Sequence, residues 1–266
     1  MPMDSTNWQP EKPVISRTID QFFITIYQVF LFVRKFFREL FRLPFERGEF
    51  IRQCYQIGYR SLALITLTGF ITGMVFTKQS RPSLAEFGAT SWLPSLVSIA
   101  IVRALAPLVT ALICAGKVGS SIGAELGSMR VTEQIDAMEV SAINPFKFLV
   151  VTRVLATTCV VPILMAYAGF VGMMGSFLDV HLNEATSMLT FFQSAFDKIS
   201  FLDFGSSMIK AISYGFTIGM VGCYQGWNAS QGTQGVGKAA NVAVVVSMFL
   251  IFIEEMFIVQ IINFIR

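Results

Sequence analysis

Residues 148–178 read FLVVTRVLATTCVVPILMAYAGFVGMMGSFL, and Arg153 is the one charged side chain in this run. A helix that crosses a membrane needs about 20 consecutive, mostly apolar residues, so the run is long enough to cross a bilayer. The whole chain is 54% hydrophobic and 14% charged, whereas soluble domains carry about 25% charged residues. Too few polar side chains remain to coat a water-soluble fold. The sequence therefore predicts a membrane protein.

Four further runs have the same apolar character, which predicts an all-α polytopic membrane protein with five transmembrane helices. The predicted spans are 58–77, 92–115, 148–178, 204–224 and 241–265. Glycines four residues apart, as in Gly69 and Gly73, predict places where two membrane helices approach each other closely.

Residues 22–43 form a segment of a different kind, because their unbroken apolar part is too short to span a bilayer. The apolar side chains that recur at helical spacing are Phe22, Ile26, Phe30, Val33, Phe37 and Phe41. The basic side chains of the segment are Arg34, Lys35, Arg38 and Arg42. This pattern predicts an amphipathic helix that lies in the membrane interface with its basic groups near anionic headgroups. A sixth, short span is the alternative.

The distribution of Lys and Arg predicts the orientation, because basic residues concentrate in the short segments on the cytoplasmic side. Residues 1–60 hold nine of the twenty Lys and Arg. With the N-terminus inside, the external segments hold only Lys78, Arg81, Lys198 and Arg266. We therefore expect a cytoplasmic N-terminus, an external C-terminus, and an external loop at 179–203 that has room for a short surface helix.

The cytoplasmic loop 116–147 has a helical pattern of its own. Its apolar stripe consists of Val131, Ile135, Met138 and Ala142. The charged residues between them are Glu125, Arg130, Glu133, Asp136 and Glu139. Balanced charge favours a protein partner, since a helix that lies on an anionic membrane would carry an excess of Lys and Arg. Asn144 and Pro145 then predict the N-cap and first turn of the third span.

Residues 115–139 read AGKVGSSIGAELGSMRVTEQIDAME, the chain continues with Ala142-Ile143-Asn144-Pro145, and residues 235–245 read GVGKAANVAVV. These runs closely resemble the MlaE family of permeases. The resemblance covers roughly residues 50–262, and its Glu-Leu-Gly-x-Met-Arg-x-Thr-Glu-Gln core is highly specific. It implies an N-terminal cytoplasmic and interfacial region at 1–49 and an MlaE-like transmembrane domain at 50–266.

The resemblance implies a permease subunit of an ABC transporter in the bacterial inner membrane, with its C-terminus in the periplasm. Such permeases form homodimers, sit on two ABC ATPase subunits and work with an MCE-domain lipid-binding protein. They move phospholipid or a related lipid, in either direction, between the membrane and that carrier. A cytoplasmic coupling helix, here about 125–142, engages the ATPase through Glu125, Arg130, Glu133, Asp136 and Glu139. The alternative is a scaffold that anchors an ATPase and an MCE protein without transporting lipid.

Four charged residues lie within the predicted spans: Arg103, Lys210, Glu254 and Glu255. Each costs about 2.5–3.5 kcal/mol at the centre of a membrane helix, so each should face a partner charge, a cavity or an interface. Buried ion pairs that orient helices and the polar edge of a substrate cavity both fit. By resemblance, Lys210 and Glu255 match a basic and an acidic position. Ala104 stands where an acid is expected after Arg103, which makes Glu254 a candidate substitute.

The resemblance also implies a lipid-binding cavity, lined here by Phe76, Leu84, Phe87, Arg103 and Leu105. Apolar walls suit acyl chains, because each buried CH2 group contributes about 0.8 kcal/mol.

Two short motifs resemble enzyme signatures, but their context argues against catalysis. Gly232–Lys238 satisfies GxxxxGK, yet Ala239 follows where a P-loop needs Ser or Thr for magnesium. Gly119–Gly123 matches GxSxG, but the single histidine, His181, is predicted on the opposite side of the membrane. The scattered cysteines and lone histidine also make a metal site improbable. We expect no catalytic residues, no cofactor and no nucleic-acid partner, with ATP bound and hydrolysed in a separate subunit.

Overall fold

The computed structural model describes residues 14–42, 46–184 and 186–265, and every regular element in these ranges is helical. The all-α class is therefore confirmed. The chain divides into two compact units, one that ends at Arg42 and one that starts at Leu43. Residues 1–13 and 43–45 of the predicted N-terminal region lie outside the described ranges. The predicted boundary between residues 49 and 50 stays a prediction.

The first unit contains α1, Val14–Leu40, which confirms a helix where the spacing of apolar residues predicted one. Its surface exposes Phe23 and Phe30 together with the basic Arg34 and Arg38. Among the described residues, α1 is not one of the helices long and apolar enough to cross a membrane. Its location in the membrane interface stays a prediction.

The second unit contains seven helical runs within the described residues. They are α2 (Arg47–Glu86), α3 (Thr90–Val131), α4 (Gln134–Val140), α5 (Phe146–Glu184), α6 (Met188–Phe196), α7 (Phe201–Trp227) and α8 (Thr233–Ile265). Of these, α2, α3, α5 and α8 are long and apolar enough to cross a membrane. Helix α7 has 27 residues and is about 40 Å long, but its polar residues leave it less apolar than those four. The predicted fourth span therefore exists as a helix, and its membrane crossing stays a prediction.

Helix α5 occupies the centre of the second unit, where it packs along α2 and α7. Glycines bring these helices together, as their spacing predicted. A Cβ atom at Gly73 of α2 would overlap the carbonyl oxygen of Gly172 in α5, and one at Gly215 of α7 would lie 2.6 Å from the carbonyl oxygen of Thr157. Since backbones that approach this closely leave no room for a methyl group, these positions require glycine.

The start of α5 also follows the sequence. The backbone N–H of Lys147 donates to Oδ1 of Asn144 over 3.2 Å, and the backbone N–H of Phe148 donates to the Asn144 carbonyl over 3.1 Å. Asn144 thus caps the helix, as predicted. The first turns of α5, Phe146–Val151, are π-helical.

The segment expected to form one helix over 125–142 forms two. Helix α3 runs on from the membrane segment to Val131, the chain turns at Glu133 with φ 59°, and the short α4 follows. Arg130 and Asp136 form an ion pair across this turn, with Nη1 and Oδ1 2.8 Å apart. The turn buries Ile135 against the fold, whereas Ala142, also at φ 59°, lies beyond the end of α4. The predicted stripe is therefore divided between two helices.

The end of the fold that was predicted to be external differs from the prediction in one respect. Helix α5 continues to Glu184, so Asp179 lies in the helix rather than in a loop. Asp179 is buried, and its Oδ2 lies 2.7 Å from Nη2 of Arg81 in α2. This counter-charge lets the helix extend past an acid that the sequence placed outside it. The short helix expected in the loop is α6, which buries Phe191 and Ala195.

Candidate functional site

A buried ion pair joins α7 to α8. Nζ of Lys210 lies 2.7 Å from Oε1 of Glu255, and the hydroxyl of Tyr214 donates to Oε2 of the same carboxylate. The Lys210 side chain is 4% exposed and that of Glu255 is 18% exposed. A charge removed from water needs such a partner, because an isolated ion is costly in a low-dielectric interior. The structure therefore brings together two of the predicted polar residues.

A third predicted residue, Arg103, lies in a π-helical turn of α3, Ile101–Leu105. Such a turn leaves backbone carbonyls out of the regular hydrogen bonding of the α-helix, and π-turns recur at functional sites. Side chains of α7 bond these carbonyls: Lys210 donates to the carbonyl of Arg103 over 3.2 Å, and Ser207 donates to that of Val102 over 2.6 Å. The π-turn and α7 are thus joined through polar contacts.

The counter-charge of Arg103 is Asp203, with Nε and Oδ1 2.7 Å apart. Asp203 also forms a capping box with Ser200 at the start of α7, where the Ser200 N–H donates to Oδ2 over 3.0 Å. Glu254, which the sequence offered as the substitute for an acid at Ala104, has other partners. It accepts hydrogen bonds from Ser213 and Thr217 of α7. The acid that balances Arg103 therefore comes from α7 and not from α8.

An apolar surface adjoins this polar network. Phe76, Leu84 and Leu105 are partly buried and pack against one hydrophobic cluster that includes Ile101 and Ala211. Leu105 belongs to the same π-turn as Arg103, and Ala211 directly follows Lys210 in α7. Three of the four predicted apolar lining residues thus lie together and next to the charged group.

Phe87 lies apart from that cluster. It follows the last residue of α2 and is 83% exposed. Leu105 also borders a crevice between α2, α3 and α5 that contains Gly69, Gly73 and Gly172. The crevice has a volume of only about 10 Å3, which is room for one water molecule. An acyl chain does not fit in this crevice.

At the other end of α3, Glu125 pairs with a residue that the sequence assigned to a flanking position. Nη2 of Arg153 in α5 lies 2.9 Å from Oε1 of Glu125, and the Arg153 side chain is 1% exposed. Its Nη1 donates to the carbonyl of Leu149 over 3.0 Å. Glu125 therefore joins α3 to α5, and its predicted role in coupling stays a prediction.

The remaining predicted coupling residues lie in α4 or shortly before it. Arg130, Glu133, Asp136 and Glu139 are all exposed, and so is Val140, at 89%. A short helix that presents charge and an exposed valine beside a break in the chain can receive a partner protein. Its role in docking stays a prediction.

Sequence reasoning missed Asp203, Tyr214, Ser207 and Arg153 as members of these polar networks. Asp203 was expected at the end of the loop 179–203, and Arg153 within the predicted span 148–178. Their partners are remote in sequence, since Asp203 reaches Arg103 and Arg153 reaches Glu125. The one available signal was the presence of Arg153 in an otherwise uncharged apolar run.

The GxxxxGK stretch forms no phosphate-binding loop. Gly232 makes a turn with φ 91°, and α8 begins at Thr233, so the rest of the motif is helical. A P-loop would instead connect a strand to a helix.

Comparison with known proteins agrees with this architecture. The family described as Permease MlaE matches residues 50–261. A probable ABC transporter permease protein of Rickettsia prowazekii is 34% identical over 237 residues, which cover 89% of this chain and 91% of that protein. A probable ABC transporter permease protein of Synechocystis is 34% identical over 242 residues, 91% of this chain and 89% of that protein.

The match to a plant relative covers a smaller share of that protein's length. The chloroplast protein of Arabidopsis thaliana named TRIGALACTOSYLDIACYLGLYCEROL 1 is 32% identical over 205 residues, which cover 77% of this chain and 59% of that protein. The matched family spans nearly all of the second structural unit. Together with the long apolar helices, these likenesses show a multi-pass membrane protein of the ABC transporter permease class, which implies an ATPase partner. The chain belongs to the MlaE permease family.

Proposed function

We propose that this permease moves phospholipid or a related lipid between the bacterial inner membrane and a periplasmic MCE-domain carrier. In this proposal the chain works as a homodimer on two ABC ATPase subunits. ATP is bound and hydrolysed in those subunits, and the permease itself has no catalytic residue, no cofactor and no nucleic-acid partner. Its N-terminus is cytoplasmic and its C-terminus periplasmic.

The observation that carries the proposal is the juxtaposition of apolar and charged surface around the π-turn of α3. Leu105, Phe76 and Leu84 each pack against the same apolar cluster, while Arg103 joins Asp203 and contacts Lys210 through its backbone. A phospholipid has the same two-part chemistry, with acyl chains and a charged headgroup. Acyl chains gain about 0.8 kcal/mol for each CH2 group they bury against apolar walls.

The small volume of the crevice within one protomer supports a cavity that two protomers share. The crevice beside Leu105 within one protomer admits about one water molecule. A lipid therefore needs a larger cavity, with lining residues from elsewhere. A second protomer facing Phe76 and Leu105 would supply those residues. The plant relative named after the lipid trigalactosyldiacylglycerol adds support for a lipid substrate.

ATPase docking is assigned to α4 and the turn before it. Because α4 follows α3 directly, movement of α4 would act on the helix that carries Arg103 and Leu105. The exposed charges of Glu133, Asp136 and Glu139 offer polar contacts to the ATPase.

The test is lipid retention and transport by the assembled complex in nanodiscs. We expect the wild-type complex to retain phospholipid through purification, detected by mass spectrometry. Replacing Phe76 and Leu105 with serine should lower both retained lipid and lipid transfer to the carrier several-fold, because polar groups disfavour acyl chains. Leu67→Ser is the matched control, since Leu67 lies on α2 with 59% of its surface exposed.

A complex that retains no lipid and transports normally with Ser at both positions would contradict the cavity assignment. A complex that assembles with its ATPase and carrier but transfers no lipid under any condition would favour the scaffold alternative.

A further inference from the structure

A second polar pocket lies between α2 and α3, away from the network around Arg103. It has a volume of about 60 Å3. Its polar lining residues are Gln53, Gln56, Arg60, Ser61, Lys117 and Ser121. One water molecule needs about 10–15 Å3, so the space admits more than one group of that size.

The pocket lies where a headgroup region is expected. Arg60 is the last charged residue before the apolar stretch of α2, and Lys117 is the first charged residue after the apolar stretch of α3. Tyr55 and Tyr59 stack on the surface of α2 nearby, with ring centroids 5.2 Å apart, and each is 63% exposed. Tyrosines concentrate at membrane interfaces because their rings are apolar and their hydroxyls polar. These side chains mark the level of lipid phosphates.

The charge of the pocket favours an anion. Glu125 also borders it, but its carboxylate is paired with the buried Arg153. Within the described part of the chain, Arg60 and Lys117 have no carboxylate in ion-pair contact. Lys117 is held in place by donating to the backbone carbonyl of Arg60. Two cations therefore remain uncompensated at the rim.

The pocket also contains an unused hydrogen-bonding group. Ser61 is 1% exposed, and its Oγ has no hydrogen-bond partner among the described residues. A buried polar atom without a partner costs about 1–3 kcal/mol, so its presence indicates a ligand or ion that completes it.

We propose that this pocket binds the phosphate group of a membrane phospholipid, in the cytoplasmic leaflet under the proposed orientation. Arg60 and Lys117 provide the positive charge, and Ser61, Gln53 and Gln56 provide hydrogen bonds. The site is separate from the proposed cavity at Phe76 and Leu105, so it adds a second lipid contact to the proposed function. The acyl chains would extend along the apolar surface of α2.

The experiment uses the full-length chain in nanodiscs and two photoprobes. One is a phosphatidylethanolamine with benzophenone on its headgroup amine, and the other is a diacylglycerol with the same benzophenone and no phosphate. Labelled peptides are mapped by mass spectrometry. We expect the phosphate-bearing probe to label the peptides around 53–61 and 117–121 several-fold more than the diacylglycerol probe.

Charge removal supplies the next comparison. The double variant Arg60→Gln, Lys117→Gln should lower this labelling several-fold, whereas Lys238→Gln, which removes an exposed lysine near the start of α8, should not change it. Ser61→Ala should cause a smaller loss of labelling. Because it removes only one buried oxygen, it still tests the pocket if the double variant fails to fold. Labelling that is equal for both probes, or unchanged in the double variant and in Ser61→Ala, would overturn the proposal.

Millimolar inorganic phosphate separates the two sources of a phosphate group. Undiminished labelling in its presence supports a lipid phosphate, and loss of labelling would overturn the assignment to lipid in favour of a soluble anion. Peptides around Phe76 and Leu105 are read in the same samples. Failure of the central cavity can thus be distinguished from failure of this pocket.

Discussion

Helices α5 and α8 are both long apolar membrane segments, yet the fold uses them in opposite ways. In the most apolar part of α5, 72% of the residues are buried within the protomer, against 17% in α8. Hydropathy does not separate the two. Small residues do, because Gly172 and Gly175 let the backbone of α5 approach α2, whereas α8 carries Phe249 and Phe252 on an exposed face.

The difference teaches that burial in a membrane protein depends on how closely backbones approach. Lipid is as apolar as a leucine side chain, so apolar area alone gives no reason for two helices to associate. Helix α5 is held by close backbone contact. Helix α8 buries only a narrow stripe that includes Ala243 and Ile251. It is also attached through polar groups, because Glu254 and Glu255 bind hydroxyls and Lys210 of α7.

The largest expected effect comes from adding a methyl group where α5 meets α2. Gly175→Ala places Cβ against the carbonyl oxygen of Phe70, so the two helices must separate. We expect a loss of about 3 kcal/mol or more in the free energy of unfolding, the upper range for overpacking. Gly237→Ala in α8 is the control, since a Cβ atom there meets open space. Denaturant unfolding in detergent measures both, and equal stabilities would contradict close packing at α5.

The next effect concerns the polar attachment of α8. Lys210→Met leaves the Glu255 carboxylate without its counter-charge, and breaking a buried pair costs about 3 kcal/mol. The double variant Lys210→Met, Glu255→Gln should recover much of this loss because no unpaired charge remains. A double-mutant cycle on unfolding free energies measures the coupling. Additive losses would show that the pair does not hold α8 to α7.

A smaller effect is expected at the N-terminal end of α5. Arg153→Met removes a buried cation, but Glu125 is 35% exposed and water screens its charge. The expected loss is about 1–2 kcal/mol. Arg130→Met is the matched control, since its pair with Asp136 is exposed and should contribute about 0.5 kcal/mol or less. Thermal unfolding in detergent compares them, and equal shifts for the two variants would contradict a buried role for Arg153.

The smallest effect is expected on the exposed face of α8. Phe252 is 53% exposed in the protomer, so Phe252→Ala should change its stability by about 0.5 kcal/mol or less. Met165→Ala in α5, where the side chain is 3% exposed, should cost about 2–5 kcal/mol. Unfolding measured on dilute, monomeric protein compares the two variants. A large loss for Phe252→Ala would mean that α8 packs more tightly than its exposed surface indicates.

The sequence predicted what depends on local composition. Long apolar runs located the membrane helices, Asn144 marked the start of α5, and the spacing of Gly69 and Gly73 marked a close approach. The π-turn Ile101–Leu105 of α3 could not be predicted, because side chains of α7 that are remote in sequence bond its displaced carbonyls. The turn at Glu133 could not be predicted either, since the apolar residues continue at helical spacing through it.

Charge pairing was the least predictable part of the candidate site. The resemblance made Glu254 a candidate substitute for the acid missing at Ala104, whereas Asp203 is the residue in contact with Arg103. Only the packing of α7 against the π-turn of α3 decides between those acids. The apolar residues Phe76, Leu84 and Leu105 were more accessible to sequence reasoning because the family resemblance assigned them to one cavity, although Phe87 lies apart from them.

The continuous run of α3 from Thr90 to Val131 has a mechanical consequence. Its 42 residues extend about 63 Å at 1.5 Å per residue. A rod of that length works as a lever, so a tilt of about 5° about one end displaces the other by about 5 Å. The π-helical turn Ala115–Gly119 would serve as its fulcrum. A push on α4 would thus move Arg103 and Leu105 by a similar distance in the opposite direction, because the arms on both sides of this turn are about 20 Å long.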